Sequence, residues 1–222
     1  IEKILQAAEP LLRDRIITDA VLGLSLTAVE LDCKDIGLSY VLRERLPAGC
    51  SAFGFAQHII GAPAPEIARL VLESWDDAQR SVGMAVITAA TRALDLPDEP
   101  VLPTPFGLQV RPADRVGMIG YIPPVAEQLA NMQARVYIFD KGLTVSGGEG
   151  AAQVMEMSRQ EEILPLCDLM IITGTTLING SIDHLLTLCR NAREIVLVGS
   201  STPMLTEAFR HTGVTALAGS WW

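Results

Sequence analysis

Long apolar runs, aromatic residues and basic residues are all scarce in this chain of 222 residues. No apolar run approaches the roughly 18 residues that a membrane-spanning helix needs, so we expect no membrane partner. Aromatic residues make up 5% of the chain, and 17 Lys and Arg stand against 26 Asp and Glu, for a formal net charge of −9. Because a nucleic-acid binder needs a basic surface to displace phosphate counterions, we expect no nucleic-acid partner either.

Metal-binding and catalytic motifs are also missing from the sequence. The four cysteines form no CxxC pair and the three histidines form no HExxH, so the sequence predicts neither a zinc ribbon nor a redox motif and assigns no metal ligands. No GxSxG or Walker loop is present, which leaves the substrate and the reaction open. Cys167 and Cys189 lie in apolar patterns, where a buried free thiol is usual, so we expect a reducing, cytoplasmic compartment.

Hydrophobic residues, by contrast, make up 49% of the chain, enough for a sizeable core. The pattern of residues 1–96 predicts an α+β domain. It has a helix over 2–13, strands within 20–42 that form a hairpin or a short meander, and helices over 65–72 and 77–94. The last helix is rich in small residues, which predicts close helix packing.

Proline is concentrated in one place. Five of the thirteen prolines lie within residues 95–112. Because proline fixes φ and removes a backbone donor, this segment is predicted to be an extended connector. We therefore place a linker at 97–112, between a first domain at 1–96 and a second at 113–222.

The second domain alternates short apolar strands with helical segments. The predicted strands cover 116–119, 135–139, 169–172, 195–198 and 214–217, and the predicted helices cover 124–132, 158–165, 178–190 and 203–212. Continuous apolar strands between helices predict a parallel sheet covered on both faces. With right-handed crossovers this is a Rossmann-like three-layer domain, so the predicted fold class is α/β.

Glycine and polar residues follow the predicted strands, at the sheet edge where open parallel sheets bind ligands. The candidate binding residues are Gly120, Tyr121, Ile122 and Pro123 after the first strand, Asp140 after the second, Gly174, Thr175, Thr176 and Asn179 after the third, and Gly199, Ser200, Ser201 and Thr202 after the fourth. Helix N-termini and hydroxyl groups attract anions. These loops therefore predict one crevice for a small anionic or nucleoside-like ligand.

Several of these residues have a structural alternative. Asp140 stands twenty residues after Gly120, the offset at which dinucleotide-binding folds place an acid on the ribose, but it could instead cap the strand end. The loop from Gly120 to Pro124 is not GxGxxG, which disfavours a pyrophosphate and leaves a nucleoside less affected. The side chains at 175, 176 and 179 could cap a helix starting near residue 178, and Thr202 could cap one that begins at Pro203.

Six phrases of the sequence resemble a known prokaryotic family. They are GLSLTAV (23–29), GLSY (37–40), SVGMAVITA (81–89), VGMIGYIPP (116–124), ITGTTLINGS (172–181) and GSSTP (199–203). Over nearly its whole length the chain is similar to the putative heavy-metal-chelation family, a domain family of unknown function. The resemblance implies an enolase N-terminal-like domain followed by a Rossmann-like domain, with the active site between them and a role in handling or making a metal chelator. Carried over by position, the implied pocket residues are the candidate binding residues named above.

Three hypotheses for function remain open. The first is a small-molecule enzyme or binding protein with a nucleoside-like cofactor or substrate between the domains. The second is direct binding of a heavy metal, which would require the scattered cysteines and histidines to meet. The third is a non-enzymatic scaffold, expected to be a homodimer, in which Trp221 and Trp222 would be an exposed anchor or a core plug.

Overall fold

A computed structural model describes residues 1–42, 56–96, 102–143 and 150–219 of the chain. Cys50, the first linker residues 97–101, and the pair Trp221 and Trp222 lie outside these ranges. Within them, none of the helices combines the length and apolarity that a membrane span requires.

The first part of the chain packs helices on a small antiparallel sheet. The helices are α1 (Glu2–Leu12), α2 (Ala64–Ala68), α3 (Leu70–Glu73) and α4 (Asp77–Ala90), and the strands are β1 (Ile17–Leu22), β2 (Leu26–Leu31) and β3 (Ile36–Tyr40). The strands form a β1-β2-β3 meander, which is one of the two predicted arrangements. The apolar run over 20–31 holds two strands rather than one, because the Gly23 N–H donates to the Leu26 carbonyl at 2.9 Å and the chain reverses.

Helix α4 is the centre of this domain. Its N-cap is Asp76, whose carboxylate accepts the Ala78 N–H at 2.6 Å. All of its residues except Gln79 and Arg80 are buried. An ideal Cβ on Gly83 would lie 2.6 Å from the Val71 nitrogen, so α3 and α4 approach each other as closely as the small residues predict.

The second part is built on a six-stranded parallel sheet. Its strands are β4 (Arg115–Ile119), β5 (Arg135–Phe139), β6 (Ala152–Val154), β7 (Leu169–Thr173), β8 (Glu194–Val198) and β9 (Ala216–Ala218). The strand order is β6-β5-β4-β7-β8-β9. From β4 the chain runs outward to β5 and β6, and it then returns to the other side of β4 to form β7, β8 and β9. This is the order of doubly wound dinucleotide-binding folds, and the predicted α/β fold class is confirmed.

The two faces of this sheet lie in separate apolar cores. One face packs with α5 (Pro123–Asn131), whose Leu129 is fully buried. The other face packs with α6 (Gln160–Ile163), α7 (Thr175–Ile178) and α8 (Ile182–Leu188). That second core continues into the first domain and includes half of the residues of α4. The two domains are therefore joined by shared apolar packing.

The described end of the linker packs on the parallel sheet. Pro105–Gly107 forms a 3₁₀ turn, and Leu108 is buried in the same core as α5. Arg193 pairs with Asp114 at 2.8 Å and donates to the Gln109 carbonyl at 3.4 Å, which ties this segment to the start of the sheet. The boundaries at 1–96, 97–112 and 113–222 stay a prediction.

Two elements of the second domain differ from the sequence prediction. Strand β6 was not predicted, because it is only three residues long and follows a glycine-rich segment with no apolar run. The helix predicted over 178–190 is shorter in the structure, where α8 covers Ile182–Leu188. The separate helix α7 ends at Ile178, and Gly180, with φ +74°, interrupts the helical backbone between the two.

The helix predicted over 203–212 is also wrong. The structure has a single 3₁₀ turn at Thr206–Phe209, where Phe209 is buried in the core that contains α1. No helix begins at Pro203, so Thr202 caps none. Its N–H instead donates to the Gly199 carbonyl at 2.9 Å in a tight turn.

Candidate functional site

A cleft of about 520 Å³ lies between the meander and the parallel sheet. The loops after β4, β5 and β7 form one side, and Tyr40 and Leu42 at the end of β3 form part of the other. From β4 and β7, which are neighbours, the chain runs outward in opposite directions. The cleft therefore opens at the topological switch point, where open α/β sheets bind their ligands.

Just over half of the candidate binding residues line this cleft. They are Gly120, Tyr121, Ile122, Asp140, Thr175, Thr176 and Asn179. The remaining candidates are not part of the lining. They are Pro123, Gly174, Gly199, Ser200, Ser201 and Thr202.

Asp140 connects the loops that follow β4 and β5. One carboxylate oxygen accepts the Tyr121 N–H at 2.8 Å, and the other accepts the Gly142 N–H at 2.8 Å. Asp140 thus caps the strand end, which was the structural alternative. Its half-buried carboxylate still lines the cleft, and each oxygen has a second lone pair for a ligand hydroxyl.

The two threonines after β7 have different surroundings. The Thr176 hydroxyl is buried and donates to the Thr173 carbonyl at 2.7 Å. Thr175 is half-buried, and its hydroxyl makes only a long bond of 3.3 Å to the Thr173 hydroxyl. The Asn179 side-chain oxygen accepts the Ser181 N–H at 3.0 Å and so holds the turn between α7 and α8.

The loop Gly199–Thr202 fastens the meander to the parallel sheet. The Ser201 side chain is almost fully buried, and its hydroxyl accepts the Tyr40 N–H at 2.8 Å. The same hydroxyl lies 3.5 Å from the Ser39 hydroxyl. This loop, predicted to contact the ligand, instead contacts the backbone of a residue that lines the cleft.

Sequence reasoning missed the wall that the first domain supplies. Tyr40 and Leu42 precede the linker, so a search of the strand ends of the second domain cannot find them, and the phrase GLSY was the only signal for Tyr40. It also missed Lys141, and it favoured a packed or solvated role for His184, which lines the cleft. Asp183, beside His184, lines a separate cavity next to the start of α1.

Among the described residues, the charged groups that line the cleft nearly balance. Asp140 is negative and Lys141 positive, and the exposed imidazole of His184 lies 4.0 Å from Glu161 on α6. The apolar lining includes Ile122 and Leu185. Such a site suits a largely apolar ligand with a few polar groups better than it suits a strongly charged one.

The three thiols in the described part of the chain, those of Cys33, Cys167 and Cys189, do not offer a soft-metal site. Burial raises the pKa of Cys167 to about 12 and that of Cys189 to about 12, so both remain protonated at neutral pH, whereas metals bind the thiolate. Burial and the neighbouring Asp35 also raise the pKa of Cys33. Within the described ranges, no three or more His, Cys, Asp or Glu side chains are grouped so as to hold an ion. The residues described here do not fit a heavy-metal centre.

Two family models match the chain, and both carry the description "Putative heavy-metal chelation". One matches residues 104–221 and the other residues 5–91. An uncharacterized protein of Methanocaldococcus jannaschii is 26% identical over 163 residues, which are 67% of this chain and 56% of that protein. The chain thus spans little more than half the length of this curated relative.

Two solved structures share the fold over almost the whole chain. A protein of unknown function from Pyrococcus horikoshii gives a TM-score of 0.79 at 22% identity, covering 97% of this chain and 85% of the other. One from Desulfitobacterium hafniense gives 0.75 at 23% identity, covering 99% and 87%. Both come from the family matched by residues 104–221.

The chain belongs to this family, since the model that matches residues 104–221 alone covers more than half of it. Membership agrees with the resemblance seen in the sequence.

Proposed function

We propose that this chain binds a nucleoside-class small molecule in the cleft between its two domains, and that this binding serves heavy-metal chelation through the handling or synthesis of a chelator. One observation carries the proposal. The cleft opens at the topological switch point of a doubly wound sheet, and the first domain closes its other side with Tyr40.

The size and chemistry of the cleft support a ligand of this class. Its volume of about 520 Å³ lies within the range of small-molecule sites. Tyr40 and Tyr121 offer aromatic surface to a planar base, and the Asp140 carboxylate can accept hydrogen bonds from vicinal hydroxyls. Thr175, the first residue of α7, adds a hydroxyl to the lining.

Direct heavy-metal binding is the weaker alternative. It requires thiolates or imidazoles held together, but burial raises the thiol pKa of Cys167 and Cys189, and no described His or Cys side chains are grouped so as to hold a metal. In the proposed function, the metal is bound by a chelator that the chain handles and not by the chain itself.

The test is to compare native and denatured mass spectra of freshly purified protein and then to titrate it with adenosine by calorimetry. We expect either a retained mass of nucleoside size or measurable adenosine binding. Asp140→Ala and Tyr40→Ala, on opposite sides of the cleft, should each weaken adenosine binding by about tenfold or more, the effect of losing a hydrogen bond to a charged group or an aromatic contact.

Asp183→Ala is the matched control, because it removes a carboxylate beside the cleft residue His184 but lines another cavity. Unfolding temperatures of all three variants show whether the fold is kept. The proposal fails if no nucleoside is retained or bound, or if Asp140→Ala and Tyr40→Ala bind adenosine as the parent does.

A further inference from the structure

We propose that Pro123 and Pro124 are specificity-determining residues that prevent this cleft from binding a diphosphate, so that its ligand presents an uncharged group to the loop after β4. The inference rests on the proposed function and defines the ligand more closely, as a nucleoside without a pyrophosphate group.

The strand order alone would predict the opposite. In folds with this order, the pyrophosphate of a dinucleotide binds at the N-terminus of the helix after the first strand, where unpaired backbone N–H groups point at it. The first strand of the present sheet is β4, and the corresponding helix is α5.

That helix start is poor in available donors. Pro123 and Pro124 occupy its first two positions and have no N–H. The next residue, Val125, donates its N–H to the Ile122 carbonyl at 3.1 Å. Before the helix, the Tyr121 N–H donates to Asp140 at 2.8 Å. Four of the five backbone positions from Tyr121 to Val125 are therefore withdrawn from an anion.

Bulk and charge act in the same direction. Ile122 brings a branched side chain into the lining where dinucleotide-binding loops have glycine. An ideal Cβ on Gly120 would lie 2.9 Å from the Thr173 methyl carbon, so the start of the loop after β4 packs closely against the end of β7. The Asp140 carboxylate would also repel a phosphate group. Lys141, the nearby cation, is exposed, so solvent weakens its attraction for one.

The experiment compares adenosine, ADP-ribose and inorganic pyrophosphate as ligands of the full chain by calorimetry. The parent protein should bind adenosine at least about tenfold more tightly than ADP-ribose and should not bind pyrophosphate measurably. The double variant Pro123→Ala/Pro124→Ala restores two N–H groups at exposed positions. The double variant should reduce the ratio of the adenosine affinity to the ADP-ribose affinity by about tenfold, and it should bind pyrophosphate measurably.

Pro10→Ala is the matched control, since Pro10 is an exposed proline inside α1 and far along the chain from the loop. The inference is overturned if the parent binds ADP-ribose as tightly as adenosine, or if the double variant shows the same preferences as the parent. If adenosine fails to bind any variant, the nucleoside class of the proposed function is wrong. Pyrophosphate binding by the double variant alone would still establish the role of the prolines.

Discussion

Two loops of the parallel sheet have nearly the same composition and different roles. The loop after β7 contains Gly174, Thr175 and Thr176, and the loop after β8 contains Gly199, Ser200, Ser201 and Thr202. The first lines the cleft with its threonines, whereas the second is not part of the lining. In the second loop, the Ser201 hydroxyl holds the backbone of Tyr40 in place.

The difference follows from position relative to the switch point. Strand β7 borders β4, so its loop opens into the space between the two halves of the sheet. Strand β8 lies one position further out, where the first domain covers the sheet edge. A loop rich in glycine, serine and threonine therefore indicates a strand end whose polar groups make many contacts. The position of the strand in the sheet decides whether a ligand or the other domain supplies those contacts.

The largest expected effect is a loss of stability, caused by a substitution that disrupts the packing between these two loops. Gly174 has ordinary helical φ, but an ideal Cβ on it would lie 2.7 Å from the Ser201 carbonyl carbon and 2.8 Å from the Thr202 nitrogen. Gly174→Ala should destabilise the protein by about 3 kcal/mol, because backbone atoms cannot move aside cheaply. Gly199→Ala has no such contact and should cost about 1–2 kcal/mol, through its φ of +100° alone. Urea unfolding measures the loss of stability in both variants. Equal losses would show that the two loops are not in close contact.

The sheet and its order could be predicted further than the site. Short continuous apolar runs such as Val136–Phe139, which alternate with helical segments, indicate buried parallel strands, and right-handed crossovers leave few topologies. Three-residue β6 carries too little pattern for this argument. A helix was predicted over 203–212 where the structure has only a 3₁₀ turn at Thr206–Phe209. Phe209 packs there in a core that also contains α1, and no local pattern in the sequence reports that contact.

The site was only half predictable for a related reason. Strand ends identify Asp140 and Thr175, since the carboxyl edge of a parallel sheet is fixed by topology. The contact between Ser201 and Tyr40 joins residues 161 positions apart, and the sequence has no local pattern that reports it. A hydroxyl that binds a ligand and one that accepts a backbone N–H from another domain look the same in the sequence.

The next largest expected effect tests whether the second loop positions Tyr40. Ser201→Ala removes the acceptor of the Tyr40 N–H and should cost about 1–2 kcal/mol of stability, because that buried donor is left unpaired. It should also weaken adenosine binding several-fold, about the loss expected when a lining residue shifts. Ser200→Ala, at the half-buried neighbouring position, should change stability by less than about 0.5 kcal/mol. If Ser201→Ala lowers stability and leaves binding by the folded protein intact, the loop is structural only and does not position Tyr40.

The smallest expected effect on stability is that of Thr175→Val, and a comparison with Thr176→Val distinguishes the roles of the two threonines in the first loop. Thr175→Val removes a long 3.3 Å hydroxyl bond and should change stability by less than about 0.5 kcal/mol. It should weaken adenosine binding by about threefold or more, because Thr175 lines the cleft and its hydroxyl makes only a long bond inside the protein. Thr176→Val removes a buried 2.7 Å bond to the Thr173 carbonyl and should cost about 1 kcal/mol, with adenosine binding retained. Calorimetry measures the adenosine affinity of each variant, and urea unfolding measures its stability. The reverse pattern would assign the ligand contact to Thr176 and the structural bond to Thr175, although the hydrogen-bond distances favour the first assignment.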